Sequence, residues 1–187
     1  MEIRVQNLCK AYGGVPVLRG VSFAAGPGVT CVMAPSGAGK TTLLRILLGL
    51  ETADSGAISG AEGCRWAAVF QEDRLLEHLD AMGNLRFVLG TEPDRAAALL
   101  EELGLGNAGG KAVREFSGGM KRRLALARAL LAPSDALALD EPFTGLDGEN
   151  RARAMACVLR ASAEKPVLLV THESSDADGL GAEIVRL

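Results

Sequence analysis

The chain has 187 residues, and its 48% hydrophobic and 23% charged side chains are typical of a folded globular protein rather than a disordered one. This length predicts one compact domain that can bury a sizeable core. The 20 basic and 23 acidic side chains give a formal net charge of −3, so there is no overall positive field to attract nucleic acid, and we expect no nucleic-acid partner.

The four cysteines are widely spaced and include no CxxC pair, which argues against a zinc site or a thioredoxin-type motif. They are predicted to be buried thiols in a reducing compartment. These cysteines are Cys9, Cys31, Cys64 and Cys157. The first residues lack the long apolar run of a signal peptide, and the longest apolar stretch, 43–50, is well below the roughly 20 residues of a membrane span. We therefore expect a cytoplasmic protein.

The predicted elements alternate between strands and helices along most of the chain. Short strands are predicted within residues 2–9 and 15–33, separated by Gly-rich turns. The later elements are a helix over 40–48, a strand over 64–70, a mostly helical region over 72–114, a helix over 119–131, a strand over 136–139, a helix over about 149–162, a strand over 166–170 and a final short segment over 183–187. This order predicts a mostly parallel sheet with functional side chains at the carboxyl ends of its strands.

Residues 34–42 form the strongest local motif, a Gly-containing loop between a predicted strand and a predicted helix, as in a phosphate-binding P-loop. Glycines in such a loop let backbone N–H groups surround a phosphate, and the helix N-terminus adds a favourable dipole. Lys40 is expected to contact the β- and γ-phosphates of ATP, and the Thr41 hydroxyl is expected to ligate Mg²⁺. The usual first glycine is Ala34 here, so we expect a somewhat altered nucleotide affinity. The nucleotide-binding residues predicted in this loop are Ser36, Gly37, Ala38, Gly39, Lys40, Thr41 and Thr42.

A second motif, Asp140-Glu141, follows a short apolar strand. Asp140 is expected to hold the Mg²⁺ shell through water, and Glu141 is placed to polarise the water that attacks the γ-phosphate. An acidic pair of this kind is by itself usually a solvated strand end. Its significance depends on the P-loop upstream.

The third motif, residues 116–123 with the sequence FSGGMKRR, opens a long predicted helix and resembles the LSGGQ signature of ATP-binding cassette (ABC) ATPases. Ser117 and the N–H groups of Gly118 and Gly119 would form a second anion site at a helix N-terminus. In this family the signature of one cassette caps the nucleotide in the P-loop of another. The resemblance therefore implies a head-to-tail homodimer with two ATP molecules at its seam. Met120 stands where the signature has Gln, and Phe116 where it has Leu.

Further residues match the family in chain order, although each of them alone has an ordinary structural interpretation. Tyr12 lies where an aromatic ring would stack on adenine, and Gln71 matches the Q-loop glutamine, which would sense Mg²⁺ and the attacking water. Asp147 matches the D-loop, and His172 matches the switch histidine that contacts the γ-phosphate. These matches, in the family's order over residues 12–172, make coincidence negligible.

The resemblance implies an α/β fold, with a P-loop NTPase core on a mostly parallel sheet, an N-terminal antiparallel β subdomain and an inserted α-helical subdomain. Residues 1–187 would form one ABC ATPase domain. Its core would comprise residues 1–71 and 115–187, and its helical subdomain residues 72–114, continuing into the signature helix.

The function implied is ATP hydrolysis coupled to solute transport by a subunit at the inner face of the cell membrane. Residues 69–76 and 84–85 resemble importer ATPases of the nitrate, sulfonate and taurine type, which implies permease subunits and a separate solute-binding protein as partners. The hydrophobic side chains of the helical region form either a docking groove for the permease or the region's own core. These are Leu75, Leu76, Leu79, Leu85 and Phe87.

Two alternatives remain at this point. A soluble ABC-type ATPase could act as a mechanical switch on a ribosome, on DNA or in complex assembly. A P-loop enzyme outside the family, such as a small-molecule kinase, is more distant, because it would not need the sequence Ser117-Gly118-Gly119.

Overall fold

The computed structural model describes residues 1–35, 37–88 and 92–187, which fold into two β-sheets with surrounding helices. The strands are β1 (Ile3–Tyr12), β2 (Val15–Ala25), β3 (Gly28–Met33), β4 (Ser55–Ser59), β5 (Trp66–Val69), β6 (Ala136–Asp140), β7 (Pro166–Thr171) and β8 (Glu183–Arg186). The helices are α1 (Lys40–Leu47), α2 (Ala81–Arg86), α3 (Pro93–Glu102), α4 (Gly118–Leu131), α5 (Gly148–Ser162) and α6 (Ser174–Gly179).

The first sheet is antiparallel and has the order β2-β1-β4. β1 and β2 form a hairpin around Gly13 and Gly14, whose φ angles of 56° and 81° suit a tight turn that non-glycine residues adopt only with strain. Val5 pairs with Phe23 on one side and with Ile58 on the other. The sheet packs its apolar face over α1 and one face of the second, parallel sheet.

The second sheet is parallel, with the order β5-β6-β7-β3-β8. Met33 pairs with Thr171, and Asp140 pairs with Val170. The carboxyl ends of β3, β6 and β7 therefore meet at one edge of the sheet. This register brings together the loops that follow these three strands, as the alternation of strands and helices predicts.

Both faces of the parallel sheet are covered, which explains why β6 and β7 are apolar at nearly every position. Leu137 and Leu139 point to a core shared with α4, α5 and the helical region. Ala136 and Ala138 point to the opposite core, shared with α1 and the antiparallel sheet. Alternate residues of one strand thus belong to different cores, because side chains on a strand have a period of two.

The region 72–114 is less helical than predicted. It contains α2, α3 and two short 3₁₀ turns, Gly106–Ala108 and Val113–Glu115, whereas the described residues before α2 form no regular element. The Asn84 side chain holds this loop, because it accepts from the backbone N–H of Leu76 (2.8 Å) and donates to the Leu76 carbonyl (3.0 Å). Leu85 is fully buried and Leu75 packs on the same core, whereas Phe87 is 67% exposed. The boundaries drawn at 71/72 and 114/115 stay predictions.

Other departures from the predicted elements are small. β4 and α6 were not predicted: β4 is a short Gly-containing strand, and α6 is a polar helix of six residues. The expectation of four buried thiols is correct for Cys31 and Cys157 but wrong for Cys9, within β1, and Cys64, shortly before β5, which are both partly exposed. Among the described residues, every helix is too short or too polar to cross a bilayer.

Candidate nucleotide-binding site

A cleft of about 700 Å³ opens at the carboxyl edge of the parallel sheet. Residues that follow β3, β5, β6 and β7 converge there, together with one side chain from β2 and one from α4. Its lining residues are Val17, Gly37, Gly39, Lys40, Thr41, Thr42, Gln71, Arg122, Glu141, Thr144 and His172. Eight of the predicted site residues are among them.

The loop from β3 to α1 supplies the floor of the cleft. Gly39 has a φ of 93°, and a Cβ atom there would lie 2.8 Å from the carbonyl oxygen of Val17, so only glycine fits without strain. Ala34 lies outside the left-handed region, so its methyl group imposes no such strain. The Lys40 ammonium donates to the carbonyls of Ala34 (2.6 Å) and Pro35 (3.1 Å). Ser36, a predicted site residue, lies outside the described residues.

Asp140 and Thr41 form a pocket suited to a hard cation. Asp140 is 1% exposed, and its Oδ2 accepts a hydrogen bond of 3.0 Å from the Thr41 hydroxyl. Its Oδ1 is buried and has no hydrogen-bond partner among the described residues. Burial raises the pKa of Asp140, because the charged form loses water. Oxygen donors around a buried, incompletely paired carboxylate are the ligands that Mg²⁺ prefers, so these residues fit that ion.

Glu141 and His172 meet at the cleft wall. The His172 Nδ1 lies 2.7 Å from Glu141 Oε1, and the hydrogen bond to this carboxylate raises the pKa of His172. Glu141 has a φ of 51°, which is unusual for a residue with a side chain and is held by a bond from its N–H to the Val170 carbonyl. Strained backbone at such a position is a frequent feature of functional sites.

Gln71 is exposed and faces the cleft, and Arg122 of α4 fixes its backbone. The Arg122 guanidinium donates to the carbonyls of Phe70 (2.6 Å) and Gln71 (2.7 Å). Farther along α4, Arg128 donates to the carbonyls of Asp73 (3.0 Å) and Arg74 (2.9 Å). The segment after β5 is therefore held on α4 by two arginines.

Arg122, Thr144 and Val17 line the cleft but were not predicted as site residues. Arg122 is one of three consecutive cations, and the sequence alone does not tell which of them faces the cleft. Thr144 and Val17 are ordinary residues with no motif to mark them.

The remaining predicted site residues lie outside this cleft. Tyr12 is exposed at the end of β1, with the Lys10 ammonium 5.3 Å from its ring centroid. Ala38 lies in the P-loop but does not line the cleft. Ser117 caps α4 by accepting from the N–H of Met120 (3.2 Å). Gly118 and Gly119 follow as the first residues of that helix.

Asp147 caps α5 in the same way, and its bonds from Asn150 lower its pKa. The start of α4 lies beside this cap, since a Cβ on Gly119 would be 3.4 Å from the Gly145 carbonyl. Arg123, only 7% exposed, ties the two together: it donates to the carbonyls of Leu103 and Gly104 and to Oδ1 of Asn150 (2.7 Å). The two helix N-termini thus form one surface apart from the cleft.

The chain is similar to known proteins over most of its length. The family model described as ABC transporter matches residues 18–144. An Fe(3+) ions import ATP-binding protein of Rhodococcus jostii (strain RHA1) is 39% identical and aligns with 94% of this chain and 56% of that protein. An aliphatic sulfonates import ATP-binding protein of Pseudomonas syringae pv. syringae (strain B728a) is 38% identical and aligns with 95% of this chain and 76% of that protein.

A thiamine import ATP-binding protein of Mesorhizobium japonicum is 37% identical and aligns with 100% of this chain and 81% of that protein. The chain thus spans little more than half the length of the iron relative and most of the length of the other two. A solved structure of an ATP-binding subunit of an ABC transporter superposes with a TM-score of 0.88 at 26% identity, covering 100% of this chain and 86% of that chain. This likeness confirms the predicted α/β P-loop fold.

Proposed function

Because this chain belongs to the ABC transporter family, whose ATP-binding subunits hydrolyse ATP to power transport, we propose that two copies pair head to tail around two ATP molecules. The pairing is supported by the separation between two helix N-termini that are suited to bind phosphate, those of α1 and α4. The P-loop, Glu141 and His172 share one cleft, whereas the N-terminus of α4 at Ser117 lies outside it. A second copy would bring its Ser117 to the open side of the cleft.

In this arrangement the P-loop amides and Lys40 hold the phosphates of ATP, while Tyr12 stacks on the base. Lys40 would exchange its two carbonyl partners for phosphate oxygens, which are stronger acceptors. Thr41, Asp140 and Gln71 would hold Mg²⁺, which neutralises phosphate charge when it is bound.

Glu141 would accept a proton from the water that attacks the γ-phosphate. His172 holds the Glu141 carboxylate from one side in this structure and would contact the γ-phosphate in the paired state. The Ser117 hydroxyl and the Gly118 and Gly119 amides of the second copy would stabilise the charge that develops on the phosphate, and Met120 and Asp147 would complete the seam.

We further propose permease subunits and a separate solute-binding protein as partners, with this chain peripheral at the inner face of the membrane. Phe87 supports a docking surface, because it is 67% exposed beside an open, mainly apolar groove that also contains Ala68 and Pro133. The relatives are named as import ATP-binding proteins, which supports a transport-powering ATPase rather than a soluble switch on a ribosome or on DNA.

Light scattering on the Glu141→Gln variant tests the pairing. Removing the base should trap the ATP-bound pair, so the mass should double on addition of Mg-ATP. Adding Lys40→Ala or Ser117→Arg to this variant should abolish the doubling, because each removes one half of the shared site. A Glu141→Gln protein that binds Mg-ATP and stays monomeric would contradict pairing by the isolated chain.

A further inference from the structure

Thr171, the last residue of β7, carries a buried hydroxyl with two good hydrogen-bond partners. It is 0% exposed, and its Oγ1 donates to Asp176 Oδ2 at 2.9 Å. The same oxygen accepts from the backbone N–H of Glu173 at 3.1 Å. A hydroxyl has one proton and two acceptor lone pairs, so both bonds form at once. The side chain therefore closes a tight turn whose middle residue is His172.

Asp176 fixes this hydroxyl from the other side. It is 2% exposed and makes an ion pair with Arg151 of α5, whose Nε donates to Oδ1 at 2.9 Å. Because Arg151 takes Oδ1, the other oxygen of the carboxylate is left for Thr171. A buried charge paired and bonded on both oxygens is held firmly in place.

The turn closed by Thr171 sets the position of His172. The Thr171 hydroxyl also lies 3.4 Å from Glu141 Oε2, a poor hydrogen bond, and its single proton is better placed on Asp176. Glu141 therefore depends on His172 for its one short side-chain contact among the described residues, the 2.7 Å bond to Oε1.

We propose that Thr171, anchored by the Asp176–Arg151 ion pair, is a positioning residue that holds His172 against Glu141. This rests on the proposed role of Glu141 as the base in ATP hydrolysis. Thr171 is 0% exposed, so its side chain does not reach the surface of the cleft. It acts by fixing the backbone at Glu173, so that the imidazole cannot swing away from the carboxylate.

Three variants of the full chain separate this role from simple packing. Thr171→Val keeps the shape and the β-branch but loses the hydroxyl, and its kcat for ATP hydrolysis should fall about tenfold with KM changed less than about twofold. Thr171→Ser keeps the hydroxyl and should retain at least about a third of the wild-type kcat. The control for replacing a buried threonine by valine is Thr30→Val. Thr30 lies buried in β3 and has no side-chain hydrogen bond among the described residues.

The two interpretations predict opposite orders of activity. A packing role makes valine the better substitute, because serine leaves a small cavity. A positioning role makes serine the better one. A Thr171→Val protein at least as active as Thr171→Ser would overturn the proposal.

A nuclear magnetic resonance titration of the imidazoles provides a second readout that is independent of turnover. The chain has two histidines, and His78 is exposed outside the site, so its signal is a reference that should not differ between variants. The charged groups that face His172 are Glu141, Glu173 and Lys40, and the bond to Glu141 is the main cause of its raised pKa. In Thr171→Val this pKa should fall towards 6.5, and in Thr171→Ser it should stay raised.

The Glu141→Gln variant distinguishes a failure of the proposed base from a failure of the positioning role. If it hydrolyses ATP at the wild-type rate, the proposed role of Glu141 as the base fails, and the titration alone decides whether Thr171 positions His172. If it is inactive while Thr171→Val keeps the wild-type kcat and the raised His172 pKa, only the positioning role fails.

Discussion

Gly39 and Ala34 belong to the same P-loop but place different demands on the backbone. Gly39 is in the left-handed region, and an added Cβ would press on the Val17 carbonyl, whereas Ala34 is not in that region. Holding alanine at position 39 in the observed left-handed conformation should cost about 1–3 kcal/mol. We therefore expect Gly39→Ala to raise the Kd for ATP about tenfold or more in a calorimetric titration.

The matched control is Ala34→Gly, which restores the usual first glycine of the motif. Since Ala34 carries no left-handed strain, this change should alter the Kd for ATP less than about threefold. Equal effects of the two substitutions would show that backbone conformation does not determine the fit of this loop.

At the residue scale, the sequence predicts the side chains that belong to motifs and misses those that do not. Lys40, Thr41 and Glu141 line the cleft and could be selected from the sequence, because they sit at fixed positions after apolar strands. Arg122 could not, because its role depends on which side of α4 faces the segment after β5. That orientation is a tertiary property and leaves no local signal.

The helix α4 offers a test at the scale of an element, because two neighbouring cations on it have different surroundings. The Arg122 side chain is 11% exposed and donates to two backbone carbonyls, whereas Lys121 pairs with Glu77, which is 61% exposed. Arg122→Gln should lower the free energy of unfolding by about 2 kcal/mol, because the Phe70 and Gln71 carbonyls lose a charged donor and the half-buried Asp73 carboxylate loses its ion-pair partner.

Lys121→Gln should cost less than about 1 kcal/mol, since surface ion pairs contribute little. Urea unfolding of both variants measures the difference. Equal losses would mean that Arg122 does not hold the segment after β5 on α4.

Regular elements with a complete pattern are predicted well, and irregular ones are not. The helix after the signature and the strands β6 and β7 agree with prediction to within one residue, because their apolar patterns and flanking breakers are strong. The loop before α2 was predicted helical because its composition permits a helix. Its actual shape depends on the Asn84 side chain, which binds backbone several residues away.

At the scale of the whole molecule, the proposed pairing predicts complementation between two defective chains. Lys40→Ala loses the P-loop half of each site and Ser117→Arg loses the signature half, so each protein alone should be inactive. Mixed pairs contain one intact site, and half of the pairs in an equal mixture are mixed. The mixture should therefore recover about a quarter of wild-type ATP hydrolysis.

In the control, one chain carries both Lys40→Ala and Ser117→Arg. This doubly substituted chain is mixed with the Lys40→Ala chain. No pair in that mixture has an intact site, so no hydrolysis should return. Two inactive proteins that stay inactive together would contradict a site shared between copies.

The buried Arg123 guanidinium limits which parts of the molecule can move independently. It holds the end of α3, the first turn of α4 and Asn150 of α5 at once. Losing any one of these acceptors would leave a buried guanidinium N–H without a hydrogen bond, which costs about 1–3 kcal/mol. A rotation of the helical region must therefore carry the capped start of α5 with it. A neighbouring subunit that binds here would then contact Ser117 and Asp147 as one rigid surface. Moving either residue would therefore move the other.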